Sequence, residues 1–300
     1  MTTREALKDI MRFWLRGGGG HGCDGFRVDM ADSLVKFDDG DKSATSEIWR
    51  DVRGMLDREF PDAAIVSEWG NPPLAIKAGF HADFLLDHGN SGYRSLMRGH
   101  LDGAGNESYF KKDGNCGIDR FLTQYMPWYE ATTNAGYMSI ITGNHDTPRI
   151  GSGLSPDELA LAYAFIFTMP GVPFLYYGDE IGMRYISGLP TKEGGYSRTG
   201  SRTPMQWKPD GTGFSDAPPG DFYLPVDQEP NAPNVEDQQG DPLSLLNTVK
   251  TLLCLRRNEK DLGSKANLEI VHAPSGGYGD RSFVYRRGSC IAGINPGGGR

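Results

Sequence analysis

Short apolar segments alternate with amphipathic helical segments along the first 177 residues of this 300-residue chain. Helical spacing of apolar residues is clearest over 48–60 and 156–169. Strand and helix in this alternation predict parallel βα units, since parallel strands need a long crossover connection and a helix commonly supplies it. The fold class is therefore predicted to be α/β. The five strand-like segments are 25–29, 63–67, 82–86, 138–142 and 172–177.

The segments outside this alternation predict further elements. Thr2 and Glu5 form a capping-box pattern at the start of a first helix, which the glycines of 17–20 end. The stretch 178–240 predicts a long functional loop rich in Gly, Pro and Asp. Asp241 then predicts the N-cap of a last helix with a proline at its first position. Beyond that helix, short alternating segments predict an antiparallel β domain.

Acidic residues stand at the ends of three predicted strands. They are Asp29, Glu68 and Asp146. The carboxyl ends of parallel strands face one rim of a barrel, so we expect these three side chains to converge there. A nucleophile, a proton donor and a third carboxylate around one sugar ring are what an α-retaining glycosidase requires.

The neighbours of these carboxylates support the same chemistry. Arg27 lies two residues before Asp29, so both side chains point the same way on a strand. Its positive charge favours the ionised carboxylate that a nucleophile needs. His145 can donate to sugar hydroxyls beside Asp146. Each of these residues alone fits an ordinary strand-end or structural role, whereas the set in this order favours catalysis.

Five segments resemble those of the α-amylase family of (β/α)8-barrel enzymes, glycoside hydrolase family 13. Asp-Gly-Phe-Arg-Val-Asp at 24–29 resembles the block that carries the nucleophile on strand four. Ile-Val-Ser-Glu at 65–68 resembles the acid/base block on strand five, and Gly-Asn-His-Asp-Thr-Pro-Arg at 143–149 the stabiliser block on strand seven. Residues 176–183 resemble the strand-eight segment. Residues 202–207 resemble a stretch common in α-glucosidase, oligo-1,6-glucosidase and trehalose synthase members.

The resemblance implies a role for each site residue. Asp29 would attack the anomeric carbon, Glu68 would act as acid and then base, and Asp146 would stabilise the distorted ring. The implied activity is hydrolysis, with retention, of α-glucosidic bonds in short glucosaccharides. No metal or organic cofactor is implied. The substrate-binding candidates are Arg27, which would orient Asp29, His145 and Arg149 for ring hydroxyls, and Trp69 and Tyr176 for stacking.

The chain also departs from the family pattern. The Asp and Asn-His block of strand three, the strands before it and the loop domain that usually carries calcium have no counterpart here. Asp32 and Ser33 replace the Lys-His pair of many amylases, which disfavours a starch-degrading, calcium-dependent enzyme. We therefore expect residues 1–260 to form the C-terminal part of the barrel, about strands four to eight. Residues 261–300 are expected to form an incomplete β domain.

Two consequences and two alternatives follow. Strands without neighbours leave open edges, so we expect self-association through those edges and little activity from the isolated chain. The first alternative is another reaction of the same family, that of a trehalose-synthase-like isomerase or of an α-amylase. The second is a non-catalytic or inactive fragment.

Composition and charge limit the kinds of partner that we expect this chain to bind. Thirty-one basic and thirty-nine acidic residues give a net charge of −8, which disfavours nucleic acid and suits a neutral oligosaccharide substrate. No apolar run approaches the roughly 20 residues of a membrane span, and the N-terminus is charged where a signal peptide is apolar. We expect no membrane partner and a cytoplasmic location. The four cysteines form no CxxC pair, which favours ordinary thiols.

Two motif matches are rejected. Gly20-x-Gly22-x-x-Gly25 fits a dinucleotide fingerprint in spelling, but it precedes a predicted strand instead of following one. Asp38, Asp39 and Asp41 suggest a calcium loop, but the glutamate that closes such a loop is missing. A solvated turn is the better interpretation of this acidic group.

Overall fold

The computed structural model describes residues 2–18, 20–99, 107–190, 198–276 and 279–297. These residues fall into two compact units. The first unit contains 1–86 and 126–139, and the second contains 87–125 and 140–300. The predicted division at residue 260 stays a prediction.

The helices and strands follow the predicted order. The helices are Thr3–Leu15 (α1), Ser43–Glu59 (α2), Pro72–Lys77 (α3), Gly92–Met97 (α4), Asp119–Thr132 (α5), Pro156–Thr168 (α6), Val235–Gly240 (α7) and Leu245–Asn258 (α8). The strands are Gly25–Val28 (β1), Ala64–Ser67 (β2), Ala82–Phe84 (β3), Tyr137–Ile141 (β4), Val172–Phe174 (β5), Glu269–His272 (β6), Phe283–Arg287 (β7) and Cys290–Ile294 (β8). None of the described helices is both long enough and apolar enough to cross a membrane.

The first five strands form one sheet in the order β1-β2-β3-β4-β5. Each pair from β1 to β4 is parallel. Helices connect the successive strands, which confirms the predicted βα units. The strand ends therefore lie on one edge within each parallel pair, as a site built from strand-end residues requires.

The core of the first unit lies between α2 and the sheet. Trp49, Val52 and Leu56 are buried on one stripe of α2 and belong to the same cluster as Ile65 and Phe80. The Trp49 indole donates a 2.8 Å hydrogen bond to the carbonyl of Ala31, which ties the helix to the loop after β1. Packing of this stripe supports the strand ends on which the site depends.

Hydrogen bonds at the helix starts test the predicted caps. The Thr2 side chain accepts a 3.2 Å bond from the amide of Glu5, so the predicted start of α1 is confirmed. Before α2, Asp38 accepts from the amides of Ala44 and Thr45. The bond from Thr45 is the main cause that lowers the pKa of Asp38 to about 2. The Asp38 carboxylate therefore caps the first turn of α2.

The predicted cap of the last helix is wrong by three residues. Ser244 is the N-cap of α8 and its hydroxyl accepts from the amide of Asn247. Asp241 ends α7 instead, and its carboxylate accepts from the amide of Leu243. This local turn uses the aspartate before the helix begins, because Asp and Ser both bond nearby amides. The described residues of the long stretch before it form α7 and three single-turn helices, 179–181, 199–201 and 219–221.

The core of the second unit is aromatic. The Phe165 ring of α6 lies 5.6 Å from the rings of both Phe110 and Phe121 and 6.2 Å from Phe283 of β7. A complete capping box between Ser155 and Glu158 starts α6. Strands β6, β7 and β8 form a separate antiparallel sheet, as predicted.

Helix α1 exposes an apolar stripe that suggests a contact with another chain. Ile10, Phe13 and Trp14 are 58%, 52% and 49% exposed and lie at helical spacing on one face. Exposed apolar stripes of this kind mark interaction surfaces. We expect the 300-residue chain to self-associate partly through this stripe.

Phe13→Lys is expected to weaken that association at least about tenfold, because it removes about 1.5–3 kcal/mol of apolar burial. Sedimentation velocity over a range of concentrations measures the effect. Asp62→Lys, a charge change at an exposed residue outside the stripe, is the control and should associate like the parent. A parent chain that stays monomeric at all concentrations would contradict the expectation.

Candidate active site

Arg27 joins two of the predicted catalytic carboxylates. Its Nη1 lies 2.5 Å from Oδ1 of Asp29, and its Nη2 lies 2.8 Å from Oε1 of Glu68. The parallel register produces this arrangement, since Val28 pairs with Ser67 at the ends of β1 and β2. One guanidinium therefore contacts both side chains and can hold them in place.

The two carboxylates differ in exposure. The Asp29 side chain is 70% exposed, whereas that of Glu68 is 15% exposed. The amide of Met30 donates a 3.2 Å bond to Oε2 of Glu68. Met30 has a φ of 39°, a conformation that is strained for a residue with a side chain. This turn aims the amide at Glu68, so strain in the loop after β1 supports the second carboxylate.

Trp69 follows Glu68 and is half-buried. Its ring meets Phe80 edge-on with the centroids 6.3 Å apart. Trp69 packs against the hydrophobic core of the first unit. Its predicted stacking on a sugar ring stays a prediction.

Arginines surround Asp146 in the second unit. Its Oδ1 lies 3.0 Å from Nη2 of Arg202 and 3.3 Å from Nη1 of Arg198. The Nε2 atom of His145 is 3.5 Å from the same oxygen. Asn144 fixes the loop by accepting a 2.9 Å bond from the amide of Asp146 through its side chain. The structure thus brings His145 and Asp146 together in a cationic environment.

Sequence reasoning missed Arg198 and Arg202 as site residues. Arg202 opens the 202–207 stretch that contributed to the family resemblance, but its spacing gives no sign that it reaches Asp146. Its Nε also donates a 3.0 Å bond to the carbonyl of His145. A long loop with arginines after the last barrel strand was the available signal, although it does not identify the partner.

Arg149 is the last residue of the 143–149 segment that carries His145 and Asp146. Its side chain is fully buried, 3.2 Å from Oδ1 of Asp179, and its guanidinium carbon lies 4.8 Å from the ring centroid of Tyr176. Asp179 also accepts a 2.6 Å bond from the hydroxyl of Thr142. Burial raises the pKa of Asp179 to about 6, while the Arg149 cation and Thr142 oppose that rise. Arg149 and Tyr176 are therefore together, and their direct contact with substrate stays a prediction.

One group of potential metal ligands lies away from these residues. Among the described residues, Glu259, Asp261 and Cys290 place ligand atoms within 4.8 Å of one another. Asp261 accepts bonds of 2.7 and 2.6 Å from the amide and hydroxyl of Ser289, and these bonds lower its pKa. Its carboxylate therefore already stabilises the turn between β7 and β8.

Comparison with known proteins identifies the family. The profile of the family Alpha amylase, catalytic domain, matches residues 2–264. The chain belongs to the α-amylase family. Trehalose synthase/amylase TreS of Mycobacterium tuberculosis is 30% identical over 302 residues, which cover 85% of this chain and 46% of that protein. Maltase A2 of Drosophila melanogaster is 26% identical over 294 residues, which cover 87% and 49%. The chain thus spans about half the length of these curated relatives.

Solved structures of the family share the fold. A trehalulose synthase in complex with Tris superposes with a TM-score of 0.73 at 20% identity, covering 97% of this chain and 60% of that one. Amy13B of Eubacterium rectale superposes with a TM-score of 0.70 at 19% identity, covering 98% and 54%. The predicted fold class, part of a (β/α)8 barrel followed by an antiparallel β domain, is confirmed.

Arg149→Met is expected to destabilise the chain by about 3–5 kcal/mol at pH 8, because it leaves Asp179 buried without its cation. When the folded-state pKa of a carboxyl group lies above its unfolded value of about 3.9, the free energy of unfolding of the protein falls as pH rises between the two values. Removing Arg149 raises the folded pKa further, so the loss should be smaller at pH 5 than at pH 8.

Urea unfolding at both pH values measures this difference. The double variant Arg149→Met with Asp179→Asn removes the buried charge and should recover much of the loss at pH 8. An equal loss at both pH values would show that the packing of Arg149 matters more than its charge.

Proposed function

We propose that the protein carrying this chain cleaves α-glucosidic bonds of short α-glucosaccharides with retention at the anomeric carbon. The observation that carries the proposal is the Arg27 bridge between Asp29 and Glu68 at the ends of neighbouring parallel strands. Retaining enzymes need two close carboxyl groups, about 5–5.5 Å apart. One guanidinium bonded to both side chains supports such a separation.

The exposures of the two carboxylates favour distinct roles. The exposed Asp29 attacks the anomeric carbon as the bond to the leaving oxygen breaks, and Glu68 transfers its proton to that oxygen. A glycosyl ester on Asp29 results. Glu68, now a carboxylate, takes a proton from water, whose oxygen attacks the anomeric carbon and releases Asp29. The bond from the Met30 amide and the Arg27 contact keep Glu68 in place during both steps.

Asp146 and its neighbours fit the binding of the reacting sugar. A carboxylate accepts hydrogen bonds from hydroxyls, and His145 and the two arginines offer donors beside it. Arg198 and Arg202 balance the negative charge of Asp146 in the unbound site. We propose that Asp146 stabilises the distorted ring and the positive charge that develops at its reacting carbon.

A second candidate is an isomerase, in which a hydroxyl of the released glucose attacks the glycosyl ester in place of water. The relatives support it, since one at 30% identity is named trehalose synthase/amylase. A non-catalytic role is a third candidate, since the amino acid transporter heavy chain SLC3A1 of Homo sapiens is 25% identical over 285 residues. The intact set Arg27, Asp29, Glu68 and Asp146 favours an enzyme over that role.

Product analysis on maltose separates these candidates. A hydrolase gives two glucose molecules for each maltose consumed, and an isomerase gives trehalose. We expect glucose as the main product and faster turnover of maltose or isomaltose than of soluble starch. Trehalose as the main product would favour the isomerase, and rates on starch far above those on disaccharides would contradict the preference for short substrates.

In the protein carrying this chain, Asp29→Asn is expected to lower turnover at least about 1,000-fold, because the amide cannot form the glycosyl ester. The near-isosteric change should leave the unfolding midpoint almost unchanged. Asp62→Asn, the same change at an exposed residue of the same unit, is the control and should keep full activity. A rate within tenfold of the parent for Asp29→Asn would remove it as the nucleophile.

A further inference from the structure

Asp83 is a buried carboxylate beneath the turn that carries Glu68. It lies in β3 with no exposed surface and pairs in register with Ser67 of β2. Its Oδ1 accepts a 2.7 Å bond from the Ser67 hydroxyl and a 3.0 Å bond from the amide of Trp69. Ser67 and Trp69 are the two residues on either side of Glu68, so one oxygen atom holds both.

The same carboxylate reaches further along the turn. The amides of Gly70 and Asn71 lie close enough to this carboxylate to lower its pKa. Gly70 has a φ of 74°, and the Asn71 side chain accepts from the amide of Leu74 at the start of α3. The path from β2 to α3 is thus arranged around one side chain of the neighbouring strand.

Burial of this carboxylate is costly. Its Oδ2 is buried and has no hydrogen-bond partner among the described residues. Burial raises the pKa of Asp83 to about 6, although the Ser67 and backbone bonds lower it. An apolar residue would suit the interior of a strand better, so the cost calls for a compensating role.

We infer that Asp83 is a positioning residue that fixes Glu68 by holding both residues that flank it. The inference rests on the proposed function in one respect, the role of Glu68 as acid/base. The Glu68 backbone is otherwise held from the β1 side, where its amide donates to Val28 and its carbonyl accepts from Ala31. Asp83 supplies the restraint from the opposite neighbour, β3. A misplacement of about 1 Å can cost about 100-fold in rate, so this restraint matters to proton transfer.

Asp83→Ala and Asp83→Asn form the matched pair. Alanine removes the acceptor for Ser67 and Trp69, whereas asparagine keeps a carbonyl oxygen there and removes the buried charge. Ser67→Ala is a second variant that removes one donor and changes little volume. A positioning role predicts that Asp83→Asn keeps its activity whereas Asp83→Ala loses activity.

The kinetic readout uses two substrates that differ in their need for an acid. Maltose needs a proton on its leaving oxygen, whereas fluoride leaves α-glucosyl fluoride with little help. For Asp83→Ala, kcat/KM on maltose should fall about 100-fold and on the fluoride less than about threefold. Asp83→Asn should stay within about threefold of the parent on both substrates. Equal losses on both substrates in Asp83→Ala and Ser67→Ala would overturn the inference.

Amide hydrogen exchange over residues 68–71 of the 300-residue chain gives a readout that needs no activity. Exchange should speed up about tenfold in Asp83→Ala, as expected for the loss of a hydrogen bond, and little in Asp83→Asn. Unchanged exchange in Asp83→Ala would overturn the inference whether or not the parent is active. If the protein carrying this chain cleaves neither substrate while exchange changes as expected, the proposed function is contradicted and the restraint on Glu68 stays supported.

Discussion

The parallel register between β1 and β2 is the constraint on which the candidate site depends. Val28 pairs with Ser67, and each strand places a carboxylate just past its end. Arg27 then reaches both carboxylates because it points to the same side of β1 as Asp29. A one-residue slip would turn the side chains of one strand to the opposite face and separate Arg27 from Glu68. Core packing of Trp49 and Ile65 holds the register, so the core and the site depend on the same pairing.

Buried charge supports the strand ends in both units. Asp83 accepts a hydrogen bond from the turn after β2, and Asp179 pairs with Arg149 of the loop after β4. In each case a strand-end loop that carries a candidate catalytic residue is tied to a carboxylate with no exposed surface. Such groups cost desolvation energy, and they hold backbone and side-chain donors in directions that apolar packing cannot enforce. The gain is geometric precision at the rim.

The sequence allowed the elements and the strand-end carboxylates to be predicted, because both follow from local patterns. The periodicity of apolar residues predicted the five parallel strands. Asp29, Glu68 and Asp146 were predicted because each is an acidic residue at a strand end within a segment that resembles the α-amylase family. The supporting residues were not predictable in the same way. Asp83 is a charged residue within an apolar strand, and no sequence pattern indicates its partners. Arg202 bonds to Asp146, which lies 56 residues away in the sequence. Their roles come from tertiary contacts. The misplaced cap at Asp241 is a smaller case, since aspartate and serine three residues apart compete for the same helix start.

The proposed chemistry branches only after the glycosyl ester has formed. Arg27, Asp29 and Glu68 act identically whether water or a sugar hydroxyl accepts the glycosyl group, since both acceptors give a proton to Glu68. These three residues therefore cannot decide between hydrolysis and transfer. The outcome depends on the residues that exclude water and bind a second sugar while the glycosyl ester exists. In the described residues Asp29 is largely open, and the arginines of the 198–202 loop lie at the other candidate carboxylate, Asp146. Residues outside the catalytic set thus determine the reaction, and they are where related chains with the same carboxylates are free to differ.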